Sequence, residues 1–291
     1  MTKGLPLMVY MFLKTYVVGP VVNLVCRPTV VDLENVPEHG PAILASNHLS
    51  VRDAVFMPVA VPRQVYFLAK SEYFTTPGLK GRVIGAFFKA INQIPMDRRG
   101  GKASAKSLSA GGQALAEGKL IGIYPEGTRS PDGRLYKGKI GVARLALETG
   151  APVIPVAMFG TDKMQPLGSR FPDPRRAKVT TVFGEPMDFS DMMSRRGDHA
   201  TMRRVTDEIM AAIQKISGQE MADVYAADHK RALAEEKTAA LKNQARDVVE
   251  ATRDKGRAVT DAVSQQASNL GAKLQGRSHD GTDERGPKES A

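Results

Sequence analysis

One cysteine, five histidines and no tryptophan in 291 residues restrict the available chemistry at the outset. Cys26 has no partner for an intrachain disulfide and cannot build a cysteine-based zinc cluster, so a reducing compartment is the simplest setting. His39, His48, His199, His229 and His279 show no metal-ligand spacing, and neither a metal nor a cofactor is expected. Aromatic residues make up 6% of the chain, which leaves no base-stacking platform. No zinc-finger, RNP or helix-turn-helix signature is present, so nucleic acid is not an expected partner. Charge of one sign is in excess: a net charge of +10 suits an anionic membrane surface or a phosphorylated substrate. The apolar content of 42% suffices for a substantial core and excludes disorder throughout.

An uninterrupted apolar run of membrane-spanning length is also missing. "GLPLMVYMFLKTYVVGPVVNLVC", Gly4 to Cys26, carries a single charge at Lys14, but Gly19 and Pro20 interrupt it, and proline removes a helical hydrogen bond. Two short apolar segments dipping into one leaflet are therefore expected within residues 1–27, with Lys14 reaching out to the headgroups. No small-x-small cleavage site follows, which argues against a secretory signal.

Over residues 28–217 short β-rich runs alternate with helical stretches, the pattern of an α/β domain whose central sheet is mostly parallel and flanked by helices. Strands are expected at "TVVDL", "AILAS", "VYFLA", "INQIPM", "LIGIY", "PVIPVAM" and "KVTTVFG". Helices are expected at "AVFMPVAV", "LKGRVIGAFFKAI", "ASAKSLSAGGQALAEG", "GVARLALETG" and "ATMRRVTDEIMAAIQKIS". In the last of these Val205, Ile209, Ile213 and Ile216 mark one face. Residues 218–275 read as a polar, weakly amphipathic helical extension, in which Val248, Val259 and Leu270 recur every 11 residues and Val263 and Leu274 repeat the interval. Two readings stay open there: a solvated helix weakened by Gly256 and Gly271, or a helix lying on a membrane. Residues 276–291 are disordered on composition.

The octapeptide "SNHLSVRD", Ser46 to Asp53, leaves the end of an expected strand. Locally it is a capping box, with Ser50 covering the amide of Asp53 and Asp53 reaching back to the amide of Ser50. A turn between His48 and Asp53 would also fold the imidazole onto the carboxylate, which a helix N-terminus keeps ionised. Such an aspartate fixes the imidazole tautomer and stabilises the imidazolium that forms when His48 takes a proton. Further on, "YPEGTRS", Tyr124 to Ser130, follows another strand and offers backbone donors, a hydroxyl and a guanidinium, a set suited to an anionic oxygen cluster. "MDRR" places Arg98 just past a third strand, and Lys139 in "YKGKIG" adds a further positive charge at a helix start. Parallel strands carry functional loops at their carboxyl ends, so these loops are expected to share one rim.

"NHLSVRD", "INQIPMDRR", "YPEGTRS" and "VIPVAM", in this order, resemble the four sequence blocks of the glycerolipid acyltransferases, specifically the 1-acyl-sn-glycerol-3-phosphate acyltransferases. The resemblance runs from about Pro37 to Gly160, and more weakly to about Ser217. It implies that His48 and Asp53 are the catalytic pair. It also implies that Asn47, Arg98, Glu126, Gly127, Thr128 and Arg129 bind substrate, with Lys139 beside them. One position departs: Asn92 stands where the family's second block usually opens with glycine, while Asp97 and Arg98 keep their places. For Glu126 the expected role is to accept hydrogen bonds from glycerol or to brace Arg129.

The implied reaction moves a fatty acyl group from a thioester, acyl-CoA or acyl carrier protein, to the free hydroxyl of lysophosphatidic acid, giving phosphatidic acid. Membrane lipids are the implied partners, and a monotopic or peripheral place on the cytoplasmic side of the cell membrane is the implied location. Two other readings compete with it: an acyltransferase acting on glycerol 3-phosphate or another lysophospholipid, and a non-catalytic basic membrane-binding module. With no G-x-S-x-G elbow, Ser50 is not expected to carry an acyl group.

Overall fold

The computed structural model describes residues 8, 10–70, 77–79, 81, 82, 85, 93–96, 101–166, 169, 171, 173–176 and 178–277. The expected helix "LKGRVIGAFFKAI", the positions Asn92, Asp97, Arg98 and Arg99, and the tail from residue 278 lie wholly or largely outside these residues. The chain divides into Met1–Lys230 and a second unit, Arg231–Ala291.

The first unit is built on β1 (Thr29–Val31), β2 (Ala42–Ser46), β3 (Val65–Lys70), β4 (Ile94–Met96), β5 (Leu120–Ile123), β7 (Val153–Phe159) and β8 (Thr180–Phe183). They form one sheet in the order β1-β8-β7-β2-β5-β3-β4, and each of the seven expected strands contributes to it. Every pairing is parallel except β7 with β8. Two short strands that the sequence pattern did not suggest, β6 (Leu135–Tyr136) and β9 (Met221–Ala222), pair with each other apart from the main sheet.

β2 lies between β7 and β5, and all five of its residues are buried, as expected for an apolar run covered on both faces. Alternation divides its side chains. Ile43 and Ala45 face α3 (Gly101–Ala116), α4 (Gly141–Thr149) and α6 (His199–Ser217), together with Leu115, Leu145, Val205, Ile209 and Ile213. Ala42 and Leu44 face the opposite layer, with Phe56 and Met57 of α2 (Asp53–Ala60) and with Ile154, Val156 and Phe183. Each fully buried Leu, Ile or Phe contributes about 1.5–3 kcal/mol, so the two layers hold the sheet rigid beneath its loops. α6 starts where Asp198 accepts hydrogen bonds from the amides of Ala200 and Thr201, at 3.3 and 2.9 Å. It presents the expected Val205, Ile209 and Ile213 to the core.

α1, residues 13–26, departs from the expected broken pair of segments. A π-helical stretch, Leu13–Val18, runs directly into an α-helical one, Gly19–Cys26. Pro20 falls in the first turn of the α-helical part, where its missing N–H costs least. The preceding wide turn lets the Gly19 amide bond the Lys14 carbonyl five residues back, and a Cβ at Gly19 would stand 2.5 Å from that oxygen. Lys14 does not extend toward headgroups either. Its ammonium donates to the carbonyls of Val61, Pro62 and Arg63 at the end of α2, at 3.2 and 3.0 Å for the last two. Those carbonyls lie just past Ala60, at the helix end whose dipole favours a cation; burial lowers the Lys14 pKa to about 8. Val22 and Cys26 of α1 pack on the α2 layer, while Met8, Phe12, Tyr16 and Leu24 are 59–77% exposed.

α5 (Thr161–Met164) is a single turn after β7, and α7 (Ala226–Arg277) follows β9. In the second unit α7 continues through Gly256 and Gly271 without a break, with Leu241, Val259 and Val263 exposed. Among the described residues no helix is long and apolar enough to cross a membrane.

Candidate active site

β2 and β5 run parallel with Ala45 opposite Ile123, so the segments Ser46–Asp53 and Tyr124–Ser130 leave the sheet side by side at its carboxyl edge. β4, reached through β3, exits at the same edge, and the Arg98 loop beyond it lies outside the described residues.

The first segment folds back on itself. Asp53 is completely buried at the start of α2. Its Oδ2 accepts hydrogen bonds from the amides of Leu49 at 2.7 Å and Ser50 at 2.9 Å and contacts His48 Nδ1 at 2.8 Å. With this carboxylate as acceptor the proton sits on Nδ1, and Nε2 keeps a lone pair. Half of the expected capping box is present, since Asp53 does reach the Ser50 amide. The other half is absent: Arg52 rather than Ser50 precedes the first helical residue, and the Ser50 hydroxyl accepts from the Arg52 amide at 3.4 Å. A tight turn at Val51–Arg52 places the Ser50 carbonyl, not its hydroxyl, opposite the Asp53 amide, at 3.3 Å.

The second segment holds His48 from outside. Glu126 Oε1 accepts the His48 amide at 2.9 Å and Oε2 accepts the Tyr136 amide of β6 at 3.0 Å. The Ser130 amide donates to the His48 carbonyl at 2.7 Å, so both sides of this residue's backbone are fixed. Glu126 therefore does not brace Arg129 through a hydrogen bond among the described residues. It is 1% exposed, and its oxygens are committed to two backbone donors that would otherwise be buried unpaired. Burial raises its pKa to about 7 against the opposing pull of those two amides. The Tyr124 ring stacks on the imidazole at 3.9 Å and 13°, and Phe67 stacks on Tyr124 in turn at 5.7 Å. One face and Nδ1 are thus covered, and the His48 side chain keeps 17% exposure.

Gly127 turns the loop at φ +74°, a left-handed conformation that side chains resist, and a Cβ there would lie 3.1–3.3 Å from the Lys139 side chain. Lys139 thus lies along the Gly127–Arg129 turn, where Arg129 is half-buried and has no hydrogen-bond acceptor among the described residues. Asn47 is used otherwise than as a free ligand. Its carboxamide accepts from the Met158 amide at 2.8 Å and donates to the Met158 carbonyl at 3.1 Å and to Gln219 Oε1 at 2.7 Å, which ties β2 to β7 below the site.

Three contributors escape the sequence reading. Tyr124 stands inside the "YPEGTRS" motif, where nothing marks its ring for a role. Gln219 and Lys230 reach the site from beyond Ser217: Gln219 through Asn47, and Lys230 by donating to Thr128 Oγ1 at 2.9 Å. Neither carries a local signal, because the partners Asn47 and Thr128 lie 172 and 102 positions away.

The acyltransferase family model matches residues 27–159. A 1-acyl-sn-glycerol-3-phosphate acyltransferase of Bacillus subtilis is 30% identical over 164 residues, 56% of this chain and 74% of that protein. The chloroplastic enzyme BAT2 of Brassica napus is 33% identical over 138 residues, 47% of this chain and 38% of that protein. The match thus spans well under half the length of the chloroplast relatives, 37% for the Arabidopsis thaliana protein LPAT1. In fold, the chain resembles the crystal structure of the 1-acyl-sn-glycerophosphate acyltransferase PlsC of Thermotoga maritima, with a TM-score of 0.51 at 24% identity, over 73% of this chain and 87% of that one.

Proposed function

The chain belongs to the 1-acyl-sn-glycerol-3-phosphate acyltransferase family, and from that premise we propose that it transfers a fatty acyl group from an acyl thioester to the free hydroxyl of lysophosphatidic acid. The observation that carries the reading is the 2.8 Å contact between His48 Nδ1 and Asp53, set beside the Gly127–Arg129 turn. His48 Nε2 takes the proton of the acceptor hydroxyl as its oxygen attacks the thioester carbonyl, and Asp53 orients and balances the resulting imidazolium. The carbonyl–sulfur bond then breaks. Thiols ordinarily titrate at about 8.5, so the thiolate leaves without strong acid assistance. Arg129, with Arg98 and Lys139, holds the acceptor phosphate, which keeps the hydroxyl beside His48 and supplies the advantage of orientation.

A lipid acceptor also has to be reached. The exposed Met8, Phe12, Tyr16 and Leu24 of α1 and the residues just before it give an outward apolar face, suited to lying within one leaflet with the remaining domain on the cytoplasmic side.

The test is a matrix of acyl-CoA and acyl carrier protein donors against lysophosphatidic acid, glycerol 3-phosphate and other lysophospholipids, on detergent-purified protein. Turnover of lysophosphatidic acid is expected. Its failure alongside turnover of another acceptor rejects the assignment, and acyl transfer unchanged by both His48→Ala and Arg129→Ala rejects the site.

A further inference from the structure

Beyond residue 159, where the family match ends, one cation returns to the loop that carries Arg129. Lys230, in the first turns of α7, is half-buried and donates from Nζ to Thr128 Oγ1 at 2.9 Å. The segment that delivers it is anchored. Gln219 bonds Asn47 at 2.7 Å and the Gly133 carbonyl at 2.6 Å, β9 pairs with β6, and Lys137 meets Asp223 at 2.9 Å.

Three cations, Lys230, Arg129 and Lys139, therefore gather at the Gly127–Arg129 turn, and of Asp53, Asp132 and Glu126 only Glu126 acts on Lys230. Asp53 is occupied by His48, and Asp132 by Arg134 and Tyr136. Both oxygens of Glu126 are spent on amides, and burial leaves it half protonated near neutral pH. Burial lowers the Lys230 pKa, the Arg129 charge lowers it further, and Glu126 opposes. Like charges held together without a matching anion are costly unless a ligand supplies one. The donor set is specific as well. A hydroxyl that accepts from Lys230 keeps its own proton to donate, and the ammonium has two more N–H groups. With the planar guanidinium of Arg129, these donors suit a tetrahedral phosphate monoester.

We propose that Lys230 is a phosphate ligand, completing with Thr128 and Arg129 the pocket for the acceptor's phosphomonoester; the identity of that acceptor rests on the functional reading above. A residue 102 positions from Thr128 thus joins the acceptor-binding block.

The test uses the full chain in detergent. Lys230→Gln is expected to raise the KM for lysophosphatidic acid roughly tenfold, with the loss falling on KM rather than kcat and the donor KM unmoved, and Lys230→Arg to recover most of it. An unchanged acceptor KM, or a fall in kcat alone, would make Lys230 a brace for Thr128 and Glu126 and overturn the proposal. A second readout needs no turnover. Acetylation of wild-type Lys230 by an N-hydroxysuccinimide ester, followed by peptide mass spectrometry, is expected to slow severalfold with glycerol 3-phosphate or inorganic phosphate but not with chloride at equal ionic strength. It should do so much less in Arg129→Ala. Protection in a protein that fails to acylate lysophosphatidic acid keeps the phosphate site and rejects the acceptor. Turnover without protection and without a KM change keeps the function and rejects Lys230.

Discussion

The two turns at the carboxyl edge of the sheet each bury one carboxylate and use it in opposite ways. Asp53 works inside its own turn: all three of its donors, His48, Leu49 and Ser50, lie within five residues of it. Glu126 works across the molecule, joining the amide of His48, 78 residues away, to that of Tyr136 on β6. Asp53 touches the imidazole ring and Glu126 touches only backbone. With His48 as the proposed base, one carboxylate sets its state and the other its position, so removing each should fail in a different observable.

The largest effect is expected where the ring itself is touched. His48→Ala should lower kcat/KM by about 10²–10⁴-fold, the contribution of a positioned general base. Asp53→Asn should approach it. An amide oxygen placed at Oδ2 can keep the two backbone donors and Nδ1–H, but the negative charge facing the imidazolium is gone. The loss should appear in kcat at unchanged stability to within about 1–3 kcal/mol, the cost of placing an unpaired amide nitrogen where buried Oδ1 now stands. Activity retained within a few-fold in either variant breaks the division of labour between the two turns.

Glu126→Gln comes next and should show mainly as instability. A carboxamide can accept one amide but turns its own N–H₂ on the other, leaving the His48 or the Tyr136 donor unpaired at a cost of about 1–3 kcal/mol. Activity should drop about tenfold through displacement of His48 rather than through loss of the base. The pH dependence gives a sharper signature. The Glu126 carboxyl rises from an ordinary 4.5 to about 7 on folding, so between those limits the folded protein binds more protons than the unfolded chain. Stability from this group therefore falls as pH rises through that window and levels off on either side, by the order of 3 kcal/mol at most. Denaturant titrations across it should show the slope in the wild type and not in Glu126→Gln. An identical slope in both proteins would place the titration elsewhere.

Tyr124 separates ring position from backbone position. Tyr124→Leu removes the stack against His48 and should cost about tenfold in kcat, consistent with roughly 0.5–1.5 kcal/mol for an aromatic pair. Tyr124→Phe keeps the stack and deletes a buried hydroxyl that has no partner among the described residues, so activity should persist with stability equal or higher. A large loss in Tyr124→Phe would give the hydroxyl a role that the stack does not explain.

Sequence reading succeeded where the interactions were local or periodic. All seven strands of the main sheet were legible because β2, β5 and β7 are continuous apolar runs, and Asp53 was legible because a helix start and a turn both fall within eight residues. It failed where partners are remote. The amides held by Glu126, the Lys14 contact with the end of α2 and the Lys230 contact with Thr128 all depend on a tertiary arrangement that no spacing encodes. It failed differently at Pro20, where the rule that proline breaks a helix was right about the lost hydrogen bond and wrong about the outcome, since a π-helical stretch absorbed it.

Ser50 provides the smallest effect and the sharpest limit on the comparison. Its hydroxyl accepts from the Arg52 amide at 3.4 Å and donates to the Gln165 carbonyl at 3.4 Å, both long, while the turn is closed by Asp53 accepting the Ser50 backbone amide at 2.9 Å. Ser50→Ala leaves that amide in place and removes only two weak contacts, which together are worth less than about 1 kcal/mol. Activity should stay within about twofold of wild type, because the proposed direct transfer through His48 forms no bond to the enzyme. A loss as deep as that of His48→Ala, or an acyl group trapped on Ser50 and found by mass spectrometry, would replace general-base transfer with an acyl-enzyme. The first turn would then hold the nucleophile as well as the base.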